Sequence, residues 1–263
     1  MTRATTLTSV AALVTAIAAA GGVYAGHGSA SALSTPTYTL RAVGDSARPK
    51  ADTQRDGDRH PALTLAFSGV KPGDQVAELI PGGGYFTRLL SAVVGPKGKV
   101  YAVVPPRRPD APADAPDPAA RLQPLTSDSH YANVSVIVSK PSQLELPHGL
   151  DLVWTSQNYH DFHNVDKLDV VEFDKKVLQA LKPGGVYLVL DHVAEKGSRF
   201  RDTATLHRID PEAVKKEVTS AGFKFEGASA VLRNNDDPHT AKVFDPAIRG
   251  HTDQFIFRFR KPR

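Results

Sequence analysis

Cysteine is absent from this 263-residue sequence. Its absence excludes disulfide bonds, thiolate metal sites and a cysteine nucleophile. The sequence also has neither the Gly-x-Ser-x-Gly elbow of serine hydrolases nor a Walker phosphate loop. Hydrophobic residues make up 41% of the chain, which is enough for a globular core without covalent cross-links.

A strong excess of one charge is missing as well. The chain has 32 Lys and Arg against 28 Asp and Glu, and its formal net charge is +4. No basic run is interleaved with aromatic residues, so we do not expect nucleic acid as a partner. The early apolar run Ala11–Ala20 is well short of the roughly 20 residues that a membrane-spanning helix needs. We expect a small-molecule substrate and no membrane span once the N-terminal segment is removed, while the oligomeric state stays open.

The N-terminus has the three parts of a secretory signal peptide. Arg3 supplies the positive charge, Ala11–Ala20 is the apolar segment, and Val23–Ala25 and Ala30–Ala32 are small-residue cleavage sites. No cysteine follows that would allow a lipid anchor. The sequence therefore predicts a signal peptide over residues 1–32, cleaved near 25 or 32, and an exported protein that is periplasmic or secreted.

The remaining chain divides at about residue 60. Residues 33–60 are polar and are predicted to be an N-terminal arm that is disordered at its start. Residues 61–263 alternate strand and helix patterns, which indicates βαβ units and a mostly parallel sheet. The prediction is a single α/β domain with a doubly wound, seven-stranded sheet. Strands are predicted at 75–80, 100–104, 134–138, 150–155, 186–190, 223–225 and 254–259, and helices at 61–67, 85–94, 168–181 and from 211 to Gly222.

A glycine-rich turn joins the first predicted strand to the helix after it. Its sequence is Glu78-Leu79-Ile80-Pro81-Gly82-Gly83-Gly84. Such a turn allows a ligand to approach the backbone and places it over the helix N-terminus. A glycine triplet is also typical of a tight strand-to-helix turn without any ligand.

The surrounding residues resemble motif I of class I S-adenosylmethionine-dependent methyltransferases. Glu78 stands at the acidic position, Gly82 and Gly84 match the second and third glycines, and residues 182–185 match the turn before the fifth strand. The resemblance runs from residue 61 to the C-terminus. Four segments also resemble exported bacterial predicted methyltransferases of unknown substrate: PGGGYFTR, SQNYHDFH, TLHRID and DPAIRG.

This resemblance implies a Rossmann-like methyltransferase fold, S-adenosylmethionine as cofactor and methyl transfer to a small molecule. Two positions depart from the family pattern. Ile80 replaces the first glycine, so the loop is not expected to open there in the usual way. Val104 ends the second strand, where the family has an acid, and valine cannot accept the hydrogen bonds of ribose hydroxyls. The cofactor-binding residues that the resemblance implies are Glu78, Pro81, Gly82, Gly83, Gly84 and Asn158.

Polar residues follow the fourth and fifth predicted strands, where doubly wound sheets bind ligands. We expect one pocket beside Gly82–Gly84, formed by Tyr159, His160, His163, Asp191, His192 and His207. The candidates to orient or deprotonate the methyl acceptor are Tyr159, His160 and His207. The candidates to contact the substrate or support these residues are His163, Asp191, His192 and Arg208.

Two other functions remain open from the sequence. His160 and His163 are three residues apart and, with Asp191 and His192, have the side chains of a metal site. No strict ligand motif accompanies them, so no metal ligand is assigned. The alternatives are an exported ligand-binding module or a metal-dependent enzyme that reuses the fold without methyl transfer.

Overall fold

The computed structural model describes residues 35–109, 111–112 and 114–263, which belong to one compact unit. The signal peptide predicted for residues 1–32 lies outside the described residues. None of the helices in the described ranges combines the length and the apolar character that crossing a bilayer requires.

A seven-stranded sheet forms the centre of the domain, with strand order β3-β2-β1-β4-β5-β7-β6. The first five strands are parallel, and β7 runs antiparallel between β5 and β6. The predicted α/β class and mostly parallel seven-stranded sheet are therefore confirmed. The strands are β1 (Gln75–Leu79), β2 (Lys99–Val104), β3 (Val134–Val138), β4 (Leu150–Ser156), β5 (Leu181–His192), β6 (Lys224–Ser229) and β7 (Gln254–Arg260).

Local sequence signals explain where the helices begin. Asp169 and Asp210 are N-caps whose carboxylates accept hydrogen bonds from Glu172 N and Glu212 N. The helices are α1 (Thr37–Val43), α2 (Lys50–Thr53), α3 (Asp56–Arg59), α4 (Pro61–Ser68), α5 (Tyr85–Val94), α6 (Gln123–Thr126), α7 (Tyr159–Phe162), α8 (Val170–Ala180) and α9 (Pro211–Ser220).

The central strands are buried on both faces. Trp154 and Leu188 belong to one apolar cluster, whereas Val153, Tyr187 and Val189 belong to a second. Because successive side chains of a strand point to opposite faces, this division places the core in two layers, one on each side of the sheet. The continuous apolar runs in the sequence are typical of strands covered in this way.

The segment predicted as an N-terminal arm contains α1, α2 and α3. Arg48 and Asp56 form an ion pair at 2.7 Å within it. Asp52 pairs with Arg88 of α5 at 2.9 Å, which ties the segment to the domain. This attachment places Arg59, the last residue of α3, beside the helix that follows the glycine loop.

Candidate functional site

The glycine loop presents open backbone at the N-terminus of α5. Gly82 and Gly83 are exposed, and a Cβ atom added at either residue would meet no described atom within 4 Å. Within the described part of the chain no side chain caps α5, so its first N–H groups keep their hydrogen-bonding capacity. An anionic or polar ligand therefore has room to approach this backbone.

Ile80 adopts a left-handed conformation with φ of 51°. Ile80 therefore takes a backbone conformation that glycine favours, although it is a β-branched residue. For a β-branched residue this conformation costs about 1–3 kcal/mol. Ile80 N donates to Val103 O at 2.8 Å, and Asn158 Nδ2 donates to Ile80 O at 3.0 Å and to Leu79 O at 3.1 Å. Asn158 thus holds the loop from the end of β4, a supporting position that differs from the predicted cofactor contact.

Gly84 has a steric reason to be glycine. Its φ is 85°, and an added Cβ would lie 2.9 Å from Leu125 Cδ1 and 3.3 Å from Leu122 Cδ2. The protein itself fills the space that a Cβ atom would take, so position 84 requires glycine even without a ligand. Pro81 is buried, and its carbonyl accepts a hydrogen bond from Gly84 N at 3.0 Å, which closes the turn.

Glu78 lies near the end of β1 and is only 3% exposed. Its Oε2 accepts a hydrogen bond from Thr87 Oγ1 at 2.6 Å. Burial raises the pKa of Glu78 to about 7, while the Thr87 bond and the charges of Arg59 and Arg88 act in the opposite direction. A cationic ligand close to Glu78 would stabilise the ionised carboxylate.

Arg59 is a site residue that the sequence did not indicate. Its guanidinium lies 4.6 Å from the centre of the Tyr85 ring and 5.6 Å from that of Phe86, and it donates to Gln157 Oε1 at 2.6 Å. Burial and the charge of Arg55 lower the pKa of Arg59 to about 10. Among the described residues, no carboxylate lies within ion-pair distance of Arg59. A ligand carboxylate would supply the missing partner.

A small, mostly apolar cavity lies beside the ends of β1 and β2. Val104 is buried at the end of β2, and the cavity beside it measures about 10 Å³. Pro105 and Leu144 also line this cavity. Val104 stands where the family pattern has an acid. Among the described residues that line this cavity, none supplies a carboxylate in its place.

His160, Asp191 and His207 come together at the ends of β4 and β5, as predicted. His160 Nδ1 lies 2.9 Å from Asp191 Oδ1, and its Nε2 lies 3.3 Å from His207 Nδ1. Burial lowers the pKa of His160, but the Asp191 carboxylate outweighs this, so the net direction is upward. Burial and the His160 charge lower the pKa of His207. His207 has a left-handed backbone with φ of 56°.

A cavity of about 420 Å³ lies next to this cluster, with His192 in its wall. His192 Nδ1 is 2.8 Å from Thr252 Oγ1, and burial lowers the pKa of this histidine to about 4. The wall has three arginines and one aspartate, which favours a ligand with negative charge. The described residues that line the cavity are Arg55, Asp58, Arg59, Gln157, His192, Val243, Phe244, Arg249, Gly250, Thr252 and Gln254.

Tyr159 and His163 do not face this cluster, which corrects the predicted single pocket. The Tyr159 hydroxyl is fully buried and donates to Asp174 Oδ2 at 2.7 Å, with Glu217 Oε2 at 3.0 Å. His163 Nε2 contacts the same Glu217 oxygen at 3.0 Å, and its ring stacks on Phe200 at 4.0 Å. Of these three residues in and beside the short helix α7, His160 is therefore the one that reaches the sheet edge.

Arg208 is also a structural residue and not a substrate contact. Its side chain has no exposed surface, and its Nη1 and Nη2 pair with Asp237 at 2.8 and 3.0 Å. Its Nε donates to Ala241 O at 2.9 Å, and its Nη1 donates to Val193 O at 2.9 Å. Arg208 therefore fastens the segment before β7 to the end of β5.

Sequence reasoning missed four of the side chains that the structure brings to this edge. Gln157 and Asp161 lie inside the polar segment after β4. The sequence predicted a site in this segment but did not select these two residues from it. Arg59 lies in the arm, and Phe244 lies in the long segment between β6 and β7. No local pattern marks these two residues, because only tertiary packing brings them to the cavity.

Comparison with curated proteins shows one similarity of useful extent. No protein-family model matches the sequence. The chain is 29% identical over 196 residues to the ubiquinone/menaquinone biosynthesis C-methyltransferase UbiE of Ectopseudomonas mendocina (strain ymp). The alignment covers 73% of this chain and 64% of UbiE, so the chain spans less than two thirds of that relative's length.

Comparison with solved structures establishes the fold. A SAM dependent methyltransferase from Aquifex aeolicus superposes with a TM-score of 0.56 at 18% identity, covering 81% of this chain and 95% of that one. The [4+2]-cyclase SpnF superposes with a TM-score of 0.57 at 16% identity, covering 86% and 92%. The predicted Rossmann-like methyltransferase fold is thereby confirmed. Since the names of these two proteins indicate different reactions, the site must decide the activity.

Proposed function

We propose that this chain, which has the fold of class I S-adenosylmethionine-dependent methyltransferases, is an exported enzyme that transfers a methyl group to a small molecule. One observation carries the proposal. The open backbone of Gly82 and Gly83, the buried Glu78 and the guanidinium of Arg59 all lie around the N-terminus of α5. The similarity to UbiE supports the same reaction class.

The residues present fit the amino-acid end of S-adenosylmethionine. That end has a carboxylate and an ammonium group. The site has a buried acid and an arginine that lacks a carboxylate partner in the described part of the chain. Arg59 would bind the carboxylate, and Glu78 would stabilise the ammonium through its charge. Val104 and Pro105 line a cavity of about 10 Å³, which is too small for the nucleoside end, so the fit extends only to the amino-acid end. The cofactor, when bound, supplies an electrophilic methyl group.

The chain's own contribution to the reaction is to hold the acceptor. Methyl transfer requires a nucleophile positioned in line with the methyl group. His160 and His207 lie at the sheet edge where ligands bind in this type of fold. The neighbouring cavity of about 420 Å³ has the size of a small-molecule site. Its arginines favour an acceptor with an acidic group.

Binding of the cofactor should depend on Arg59. We expect S-adenosylmethionine and its demethylated product to bind the full chain in calorimetry. Arg59→Met should weaken both by about 10–100-fold, because a charge-assisted hydrogen bond contributes about 1.5–3 kcal/mol. Arg41→Met, which changes an exposed arginine of α1 that is not among the residues lining the cavity, is the matched control and should retain affinity. If the wild-type chain binds neither compound, the fold serves a different ligand and the proposal is wrong.

Export is proposed from the N-terminal sequence alone. Arg3, the apolar run Ala11–Ala20 and the two cleavage sites support it. When the full gene is expressed with its own N-terminus, we expect the exported protein to begin near Gly26 or Leu33. N-terminal sequencing of the exported fraction measures this. Recovery of an intact Met1 only in the cytoplasmic fraction would contradict export.

A further inference from the structure

Three potential metal ligands meet at the end of β4. His160 Nε2 lies 3.3 Å from His207 Nδ1 and 3.3 Å from Asp161 Oδ1, and the remaining side of the triangle, from His207 Nδ1 to Asp161 Oδ1, is 3.8 Å. We propose that His160, Asp161 and His207 bind one divalent transition-metal ion. This ligand set differs from the sequence-based candidates, since His163 points away and Asp191 contacts the other nitrogen of His160.

The triangle has the dimensions of a tetrahedral metal site. Zinc lies about 2.0–2.2 Å from imidazole nitrogen and carboxylate oxygen, which places tetrahedral ligand atoms about 3.3–3.6 Å apart. The three observed separations are 3.3, 3.3 and 3.8 Å. An ion at the centre therefore requires only small side-chain rotations.

Asp191 prepares His160 for this role. The buried carboxylate lies 2.9 Å from His160 Nδ1 and also accepts a hydrogen bond from His160 N at 2.8 Å. When Nδ1 carries the proton and its N–H donates a hydrogen bond to Asp191, Nε2 keeps a lone pair that can bind a metal ion. A carboxylate that orients a ligating histidine in this way is typical of metal sites, where it fixes the tautomer.

His160 Nε2 is an acceptor in this cluster that needs a proton donor or a cation. With His160 in this tautomer, its Nε2 faces a carboxylate oxygen and a second imidazole nitrogen. Buried polar atoms require partners, and His160 is only 3% exposed. A proton on Nε2, a hydrogen bond from the Nδ1–H tautomer of His207 or a metal ion meets this need, and all three use the same lone pair. The triangular arrangement of three ligand atoms favours the metal ion.

The site is open on one side. The side chains of Asp161 and His207 are 46% and 26% exposed, so solvent or an acceptor molecule can reach a bound ion. Three protein ligands with one open position are typical of catalytic zinc sites, and two imidazoles with one carboxylate also suit Fe²⁺ and Co²⁺. The left-handed backbone of His207, with φ of 56°, is a strained conformation of the kind found at functional sites.

Metal titration of the full chain tests this proposal without S-adenosylmethionine or a methyl acceptor. After dialysis against a chelator, we expect one equivalent of Co²⁺ to bind and to give visible absorption bands of low-symmetry coordination, and Zn²⁺ to displace it. His207→Asn and Asp161→Asn should each weaken Co²⁺ binding by about 100-fold or more, since loss of a ligand exceeds loss of an orienting partner. Asparagine is chosen at 207 because it tolerates the left-handed backbone. Circular dichroism confirms that each variant is folded.

Matched controls separate the site from general metal affinity. His148→Asn and Asp166→Asn change exposed residues outside the cluster and should leave Co²⁺ binding unchanged. Asp191→Asn should weaken binding about 10–100-fold, as loss of an orienting carboxylate does at other metal sites. Absence of Co²⁺ and Zn²⁺ binding by the wild-type chain would overturn the proposal, as would equal binding by the wild type, His207→Asn and Asp161→Asn. Because cofactor binding is measured separately, failure of either proposal leaves the other intact.

Discussion

Replacing Arg208 by alanine is expected to lower the free energy of unfolding by about 3–5 kcal/mol. Arg208 and Asp237 form a two-bond pair in which neither side chain has exposed surface. Removal of the guanidinium leaves the Asp237 carboxylate buried with its backbone N–H donors but without this counter-charge. It also leaves the carbonyls of Val193 and Ala241 without their donor.

Urea denaturation of wild type and of the Arg208→Ala variant at pH 7 measures this loss of unfolding free energy. Lys175→Ala is the matched control, because Lys175 also pairs with a carboxylate, that of Glu172, but the two side chains are 44% and 61% exposed. Surface ion pairs contribute about 0–1 kcal/mol, so the control should stay close to wild type. Equal losses in the two variants would show that burial does not set the strength of the Arg208 pair.

Glu78→Gln is expected to have a higher free energy of unfolding than wild type above pH 7. This advantage should shrink as the pH falls toward 4.5. Burial raises the pKa of Glu78 from 4.5 to about 7. The folded state therefore binds a proton between these two values that the unfolded state has released, so wild-type stability falls as pH rises through this window. The shift corresponds to about 3 kcal/mol. Glutamine has no charge to bury, and its carbonyl accepts the Thr87 hydrogen bond.

The measurement is the difference in unfolding free energy between Glu78→Gln and wild type at pH steps from about 4 to about 8.5, a range that spans both pKa values. This difference should be constant below the unfolded-state pKa of 4.5 and should grow by about 3 kcal/mol up to pH 7. Glu195→Gln, at an exposed glutamate, should show no such growth. Parallel curves for wild type and Glu78→Gln would mean that Glu78 titrates normally in the folded chain. In calorimetry, Glu78→Gln should weaken S-adenosylmethionine binding, because the charge opposite the ammonium group is removed.

Glu78 and Arg208 show which properties of a buried charged residue a sequence pattern predicts and which it does not. Glu78 was predicted at the site because it stands at the acidic position of the methyltransferase motif that the sequence resembles, and in the structure it lies in β1, just before the glycine loop. Arg208 was predicted beside the substrate because it lies just before a predicted helix, near the expected substrate position in this fold, yet its side chain is fully buried against Asp237. Adjacent residues outside regular helices and strands have side-chain directions that depend on backbone dihedrals, and His207 has a left-handed φ of 56°.

The two histidines of the metal site predicted from the sequence also have different partners, although they are only three residues apart. His160 reaches Asp191, whereas His163 reaches Glu217 of α9. Their spacing of three residues suits one helix face, but α7 has only four residues, from Tyr159 to Phe162. His163 is the C-cap residue of this helix and has helical dihedrals, so a spacing of three residues does not by itself bring the two rings to one site.

The sequence by itself determined the order of strands and helices, the glycine turn and the polar character of the sheet edge, because these depend on local periodicity, caps and turn residues. Tertiary structure alone decided which polar side chains meet. Arg59 reaches the helix after the glycine loop only because the arm packs on α5, and it contacts Gln157 across a separation of 98 residues. His160 meets His207 across a separation of 47 residues. Contacts over such separations depend on the packing of whole elements, for which no short stretch of sequence contains a signal.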